Sequence, residues 1–281
     1  MIRIVTDSTC EAPPELMAHP RVAVVPLSVV FGQTSLRDGV EISREEFWRR
    51  LPSSDPLPTT SQAVPSDFLT PFEQFCAAGD EVVAITISSK LSGTYAAALA
   101  AQQTYPYWPI SVVDSLSTSI GLGMLLDEAV RLAEAGKTRA EIVERLTAMR
   151  EKLQVVFVLE TLEYLQKGGR IGKAQAFVGT LLKFKPLLQI ADGEIGPVAR
   201  ARSRAKALET AQEYLLNQVP ARGPQVRLAL TQALAADEAR ALGDKLAAAF
   251  GASGFYVADL GPVLGVHVGP GAIGVGVYGG D

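Results

Sequence analysis

Two cysteines and two histidines are all that the 281 residues contain of either type. Cys10 and Cys76 lie far apart in the chain, which argues against a disulfide-stapled scaffold and fits a reducing cytosol. His19 and His267 are isolated and no HExxH or CxxC spacing occurs, so no metal set is visible. The chain also lacks a GxGxxG after a strand, a phosphate loop ending in Gly-Lys-Ser/Thr, and a Gly-x-Ser-x-Gly elbow. A dinucleotide cofactor and an ordinary nucleophile elbow are therefore unsupported. Long apolar runs are equally scarce. The charge-free stretch 260–280 holds eight glycines, two prolines and His267. It reads as a tight backbone loop running into a last strand, not as a spanning helix. The N-terminus reaches Thr6 and Asp7 too early to form the apolar core of a secretory signal, and the expected location is the cytoplasm.

What is present is enough for a large core. With 48% hydrophobic and 20% charged residues, the chain suits one large domain or two of ordinary size. The net charge of −4 hides an asymmetry: the window 165–206 carries nine Lys or Arg against Asp192 and Glu194. Such a basic patch on an acidic body attracts phosphate or an acidic partner. Double-stranded nucleic acid is not expected, because no aromatic-interleaved or zinc-finger pattern accompanies the charge.

Apolar β-branched runs over 2–7 and 22–31 read as strands. Ser43 with Glu46 three residues later has capping-box spacing, and Ser66 with Leu69, Phe72 and Phe75 begins a second helix. Strands over 81–88 and 110–114 alternate with helices over 94–103 and 121–135, which means crossover units and a mainly parallel sheet. A helix over 138–152 leads to a strand over 155–159. Beyond it come a basic loop, an apolar helix over 174–182 and a hairpin-like piece around Asp192-Gly193. A helix over 203–217, a strand over 226–232, a helix over 236–250 and a strand over 255–259 complete the pattern. The predicted fold class is α/β with two α/β domains: an N-terminal one over 1–155, mainly parallel, and a smaller C-terminal one over 156–281.

Several clusters could carry chemistry. Asp7-Ser8-Thr9 ends a strand, where open α/β sheets bind ligands, although the aspartate could equally cap the next turn. The hydroxyls of Thr59-Thr60-Ser61 beside Gln62 either receive a carboxylate or phosphate, or cap the following helix. Ser92 lies between a strand and a helix, where free N–H groups and the positive dipole end favour an anion or a plain cap. Gly168-Gly169-Arg170 lets a guanidinium emerge on a sharply turned backbone, to hold an oxygen pair or to rest in solvent. Arg200, Arg202 and Arg204 share one side of an extended segment. His267, framed by Gly265, Gly269, Pro270 and Gly271, either serves an oxyanion or is simply packed.

Taken in order, nine motifs carry a resemblance. They are Asp7-Ser8-Thr9-Cys10, Val25-Pro26-Leu27 through Phe31-Gly32, Asp38-Gly39-Val40-Glu41-Ile42-Ser43, Pro58-Thr59-Thr60-Ser61-Gln62, and Leu91-Ser92-Gly93-Thr94-Tyr95. They continue with Asp114-Ser115, Leu162-Glu163-Tyr164-Leu165 with Gly168-Gly169-Arg170, Lys183-Phe184-Lys185-Pro186, and His267-Val268-Gly269-Pro270-Gly271. Together they resemble the DegV family of bacterial fatty-acid-binding proteins over essentially the whole chain. Ala63-Val64 and Leu36 depart from the family's pattern.

The resemblance implies one long-chain fatty acid held between the two domains, tail buried and carboxyl near the surface, with no catalytic residue and no cofactor. It further implies a carrier subunit whose partner is the ATP-binding subunit of fatty acid kinase. That partner would phosphorylate the carboxylate to an acyl-phosphate for phospholipid synthesis, and lipid exchange would need transient contact with a membrane surface. By the same resemblance Thr60, Ser92 and His267 hold the carboxyl group, with Ser61 beside them, while Arg170 and Arg202 face the kinase subunit or the phosphoryl group. The alternative is a stand-alone acyl hydrolase or acyltransferase, with Ser92 as nucleophile, His267 as base, and Asp7 or Asp114 as the orienting acid.

Overall fold

The structure is a computed structural model that describes residues 1–178 and 184–280. Its strands are β1 (Ile2–Asp7), β2 (Val22–Val25), β3 (Ser28–Phe31), β4 (Thr34–Arg37), β5 (Thr59–Ser61), β6 (Glu81–Thr86), β7 (Ile110–Asp114), β8 (Gln154–Val158), β9 (Lys185–Ala191), β10 (Glu194–Ala201), β11 (Arg227–Gln232), β12 (Phe255–Asp259) and β13 (Ile273–Tyr278). They form three sheets.

The first sheet has the order β2-β1-β6-β7 and every pair is parallel. Parallel strands need crossovers, and the helices that supply them cover both faces. Ile4, Val83 and Ile85 face the helices Ser119–Glu134 and Arg139–Lys152. Val5, Val82 and Ala84 face the other way, against Phe68 and Phe72 of Pro65–Ala77 and the alanines of Thr94–Thr104. The second sheet runs β10-β9-β8-β13-β11-β12, and only β11–β12 is parallel. Its Val156, Val158, Leu228, Leu230, Val275 and Val277 pack on the helices Arg204–Gln218 and Ala236–Phe250. The helix Ser119–Glu134 lies against its opposite face. Gly276 permits this approach, since a Cβ there would stand 2.7 Å from Met124 Sδ. That helix thus joins the two large sheets, and the 155/156 division falls inside β8, which pairs only with β9 and β13.

Some local expectations need correction. The apolar run over 22–31 is two strands in different sheets, parted by Pro26, which lacks the N–H a continuous strand would use. Thr59–Ser61 is neither loop nor cap but β5, paired antiparallel to β3 in a small third sheet ordered β4-β3-β5. The helix expected to start at Ser66 begins at Pro65, with Asp67 accepting the Val64 N–H at 2.8 Å. The stretch 260–280 contains a seven-residue helix, Pro262–Val268, before β13. Of the helix expected over 174–182, a short 3₁₀ segment Gly172–Phe177 is found, and Val178 is extended. The remainder, with Lys183, lies outside the described residues. Among those residues no helix is long and apolar enough to cross a membrane.

Candidate functional site

The second sheet, β5 of the small sheet, the loop after β6, the helix Ser119–Glu134 and the helix Pro262–Val268 wall a cavity holding about 890 Å³ of atom-free space, part of it open to solvent. Its walls are mostly aliphatic or aromatic, with Leu27, Leu91, Phe157, Leu159, Ile190 and Leu264 among them. At the mouth the lining turns polar: Thr60, Ser61, Gln62, Ser92, Arg170 and His267.

His267 sits in the last turn of Pro262–Val268, not in a glycine turn. The hydroxyl of Thr60, 207 residues away in sequence, stands 2.8 Å from His267 Nε2. The paired glycines have separate tasks. A Cβ on Gly168 would collide with His267 Nδ1, so Gly168 makes room for the ring, while Gly169 at φ 68 turns the chain into Arg170. Nδ1 is buried without a hydrogen-bond partner. Burial, reinforced by the Arg170 guanidinium, pushes the imidazole down to about 4, so it is neutral at physiological pH. Arg170 is exposed at the rim and donates to Gly168 O at 3.0 Å.

The Ser92 hydroxyl lies 2.9 Å from Thr94 Oγ1, just before the helix Thr94–Thr104. Ser61 is exposed, its hydroxyl making only a long contact to Gln62 O at 3.4 Å. Arg202 is exposed at the end of β10 and does not line the cavity. The structure thus brings together Thr60, Ser61, Ser92, Arg170 and His267 and leaves Arg202 outside the mouth.

A hydrolytic triad is not assembled. Asp7 is fully buried and accepts from Thr9 N, Thr9 Oγ1 and Ile87 N, which makes it the cap of its own turn. Asp114 accepts from Ser89 N and Leu116 N. Neither bonds His267, and the partner of its Nε2 is Thr60, not Ser92. Arg200 stacks over Phe177 and Phe184, and Arg204 pairs with Glu160 and Glu238, so the expected row of arginines is dispersed.

Sequence reasoning missed what holds the His267 helix in place. Glu11, fully buried, accepts the Gly261 N–H at 2.6 Å and pairs with Arg44 at 3.0 Å. Asp38 accepts the Val263 N–H at 3.3 Å. Two carboxyls from the N-terminal half therefore satisfy the orphan N–H groups of this short helix. For Asp38 the signal lay in the third motif of the ordered series, where it had no assigned task; Glu11 directly follows the first motif.

Burial pushes Glu11 up to about 8 and Asp38 up to about 6. An acid whose folded pKa is raised keeps its proton on folding, so the stability it contributes at low pH is lost as pH rises through the folded value. From about pH 7 to about 8 we expect the protein to lose roughly 1 kcal/mol. Glu11→Gln should flatten that slope in urea titrations at each pH, and an unchanged slope would refute the assignment.

Comparison with known proteins agrees with this architecture. The model of the DegV family, described as an uncharacterised protein of that family, matches residues 1–279. A DegV domain-containing protein of Halalkalibacterium halodurans is 35% identical over 278 residues, covering 99% of this chain and 98% of its own. A DegV family protein from Thermus thermophilus, its structure described by fatty acid binding, superimposes with a TM-score of 0.93 at 35% identity, covering 99% of each chain. A stearic-acid-binding protein from Eubacterium ventriosum gives a TM-score of 0.89 at 31% identity, covering 99% of this chain and 98% of that one. With sequence similarity and backbone superposition both running nearly end to end, the chain belongs to the DegV family.

Proposed function

We propose that this protein binds one long-chain fatty acid, tail in the cavity and carboxylate at the mouth, and presents it to a separate ATP-dependent fatty acid kinase subunit. The observation that carries the reading is a largely apolar cavity with Thr60, Ser61, Gln62, Ser92, Arg170 and His267 at its opening. Each buried methylene contributes about 0.8 kcal/mol, so affinity comes from the tail. Orientation comes from the head: the hydroxyls of Thr60 and Ser92 and one N–H of neutral His267 can donate to carboxylate oxygens, and Arg170 offsets their charge. Fatty acid binding by the Thermus thermophilus and Eubacterium ventriosum relatives supports the same assignment.

The carrier itself needs no acid or base. A carboxylate oxygen attacks the terminal phosphorus of ATP, the bond to the bridging oxygen breaks, and ADP leaves with its electron pair. The product is an acyl-phosphate, the form suited to phospholipid synthesis, and no proton changes hands. The neutral His267 and the absence of a Ser92–His267 bond are compatible with a presenting role in the cytoplasm.

Mass spectrometry of an organic extract from the denatured protein should yield a long-chain fatty acid near one equivalent. A blank that persists after incubation with mixed fatty acids would overturn the reading. With a fatty acid kinase subunit and ATP, Arg170→Ala and Arg202→Ala should each slow acyl-phosphate formation about tenfold or more while retaining lipid, as for charge-assisted contacts. Lipid loss in either variant would remove that arginine from the docking face.

A further inference from the structure

The apolar wall of the cavity is interrupted a second time, away from the mouth. Thr231 on β11 is 2% exposed, and its hydroxyl oxygen is buried without a hydrogen-bond partner. The hydroxyls of Thr118 and Ser119 are likewise buried and unpartnered. All three residues line the cavity. Thr118 is the N-cap of the helix Ser119–Glu134, yet its side chain accepts none of the N–H groups there, and Ser119 is held at φ 52.

The backbone fixes where this second cluster lies. Ser119 O accepts from Glu11 N at 3.3 Å, and Glu11 in turn holds Gly261 N, at the start of the helix that carries His267. Leu260 N donates to Gln232 O at 2.8 Å, which places Thr231 at that same end. From Gly261 to His267 the helix rises about 9 Å. Ile120 packs beside Gly276, two residues along β13 from Gly274, the partner of Thr231, so the helix start and Thr231 border one stretch of wall.

Buried polar groups are ordinarily hydrogen-bonded, and three unpartnered hydroxyls on residues that line one cavity call for a ligand oxygen. We propose that the inner part of the cavity is a polar subsite for an oxygen substituent on the acyl chain, so that the preferred ligand is a hydroxy or oxo fatty acid. The substituent lies about 9 Å inside the carboxylate, with Thr231 as its main partner and Thr118 and Ser119 beside it. A plain methylene at that point leaves the hydroxyls unpaired, whereas a hydroxyl or carbonyl oxygen bonds them. The inference rests on the fatty acid reading above.

Delipidated protein titrated with stearic acid and with hydroxystearic acids whose hydroxyl is moved along the chain separates the two claims. We expect one mid-chain isomer to bind about tenfold more tightly than stearic acid, equivalent to about 1.4 kcal/mol. Thr231→Val, of the same shape without the hydroxyl, should abolish that advantage and leave stearic acid bound at least as well. Thr118→Val should reduce it and serves as the second variant if the first does not fold. Stearic acid binding as tightly as every hydroxy isomer, or a preference that survives both variants, would overturn the polar subsite while leaving the fatty acid reading intact. Failure of every acid to bind would overturn both.

Discussion

Gly274→Leu is expected to cost the protein its long-chain ligand, on the order of a hundredfold in affinity, while leaving the fold in place. Gly274 and Gly276 look alike in sequence but differ in what a side chain would meet. At Gly276 the neighbours are Met124 and Ile120 of the packed helix. At Gly274 a Cβ would meet the Thr231 methyl at 2.7 Å and Val156 O at 3.9 Å. A rotation of Thr231 relieves the first contact, so the added carbons extend into the cavity that Gly274 lines. A leucine introduces four of them and excludes about as many ligand methylenes, roughly 3 kcal/mol at 0.8 each. Acids too short to reach β13 should bind as before. Titration of stearic acid and a shorter homologue against both proteins, with melting curves as the control, checks this. Unchanged stearic acid affinity in a folded variant would show that the chain does not occupy this cavity.

The alternation of strand and helix was legible because local rules govern it. The helix Ala236–Phe250 and the strand Phe255–Asp259 lie where their apolar spacing puts them. Ser43 and Ser203 accept from the N–H three residues on, as cap residues should. Illegible were elements stabilised from elsewhere. Pro262–Val268 is glycine-rich and short, and isolated it has little reason to form. Glu11 and Asp38 hold its N-terminus, and its flank packs on Phe47 and Trp48, near Gly265. β5 is three residues long and exists through its pairing with β3. The same holds for the site. Thr60, Ser92, Arg170 and His267 could be singled out by residue type and by resemblance, but that Thr60 meets His267 depends on β5 and on a helix that no local pattern announces. The hydroxyls of Thr118, Ser119 and Thr231 carried no signal, since a threonine in a strand or at a helix start is unremarkable until its neighbours are known.

Glu128→Ala should destabilise the protein by about 3–5 kcal/mol, the cost of removing one partner from a buried ionic cluster. Glu128 is fully buried on Ser119–Glu134 and accepts from three arginines: Arg131 at 2.8 Å, Arg145 of Arg139–Lys152 at 2.8 Å, and Arg227 at the start of β11 at 2.6 Å. Burial opposes its charge, but the bonds from Arg131 and Arg145 and the nearby Arg227 outweigh it and hold the carboxyl down at about 2. A depressed acid contributes stability that is present above its unfolded value and lost as pH falls through the folded one. Here the loss runs from the ordinary glutamate value of 4.5 down to about 2 and amounts to roughly 3 kcal/mol. Acid denaturation of the wild type should steepen in that window, and Glu128→Gln, which keeps the shape without the charge, should remove most of the steepening. The effect should reach the ligand as well. Glu128 ties the helix whose first turn lines the cavity to the strand that carries Thr231, so loosening the cluster loosens two walls at once. Hydrogen exchange on the alanine variant should therefore show faster opening of Ser119–Glu134 and a faster release of bound acyl chain. Exchange confined to the immediate surroundings of Glu128, with release unchanged, would mean that the cluster stabilises the fold without controlling the cavity.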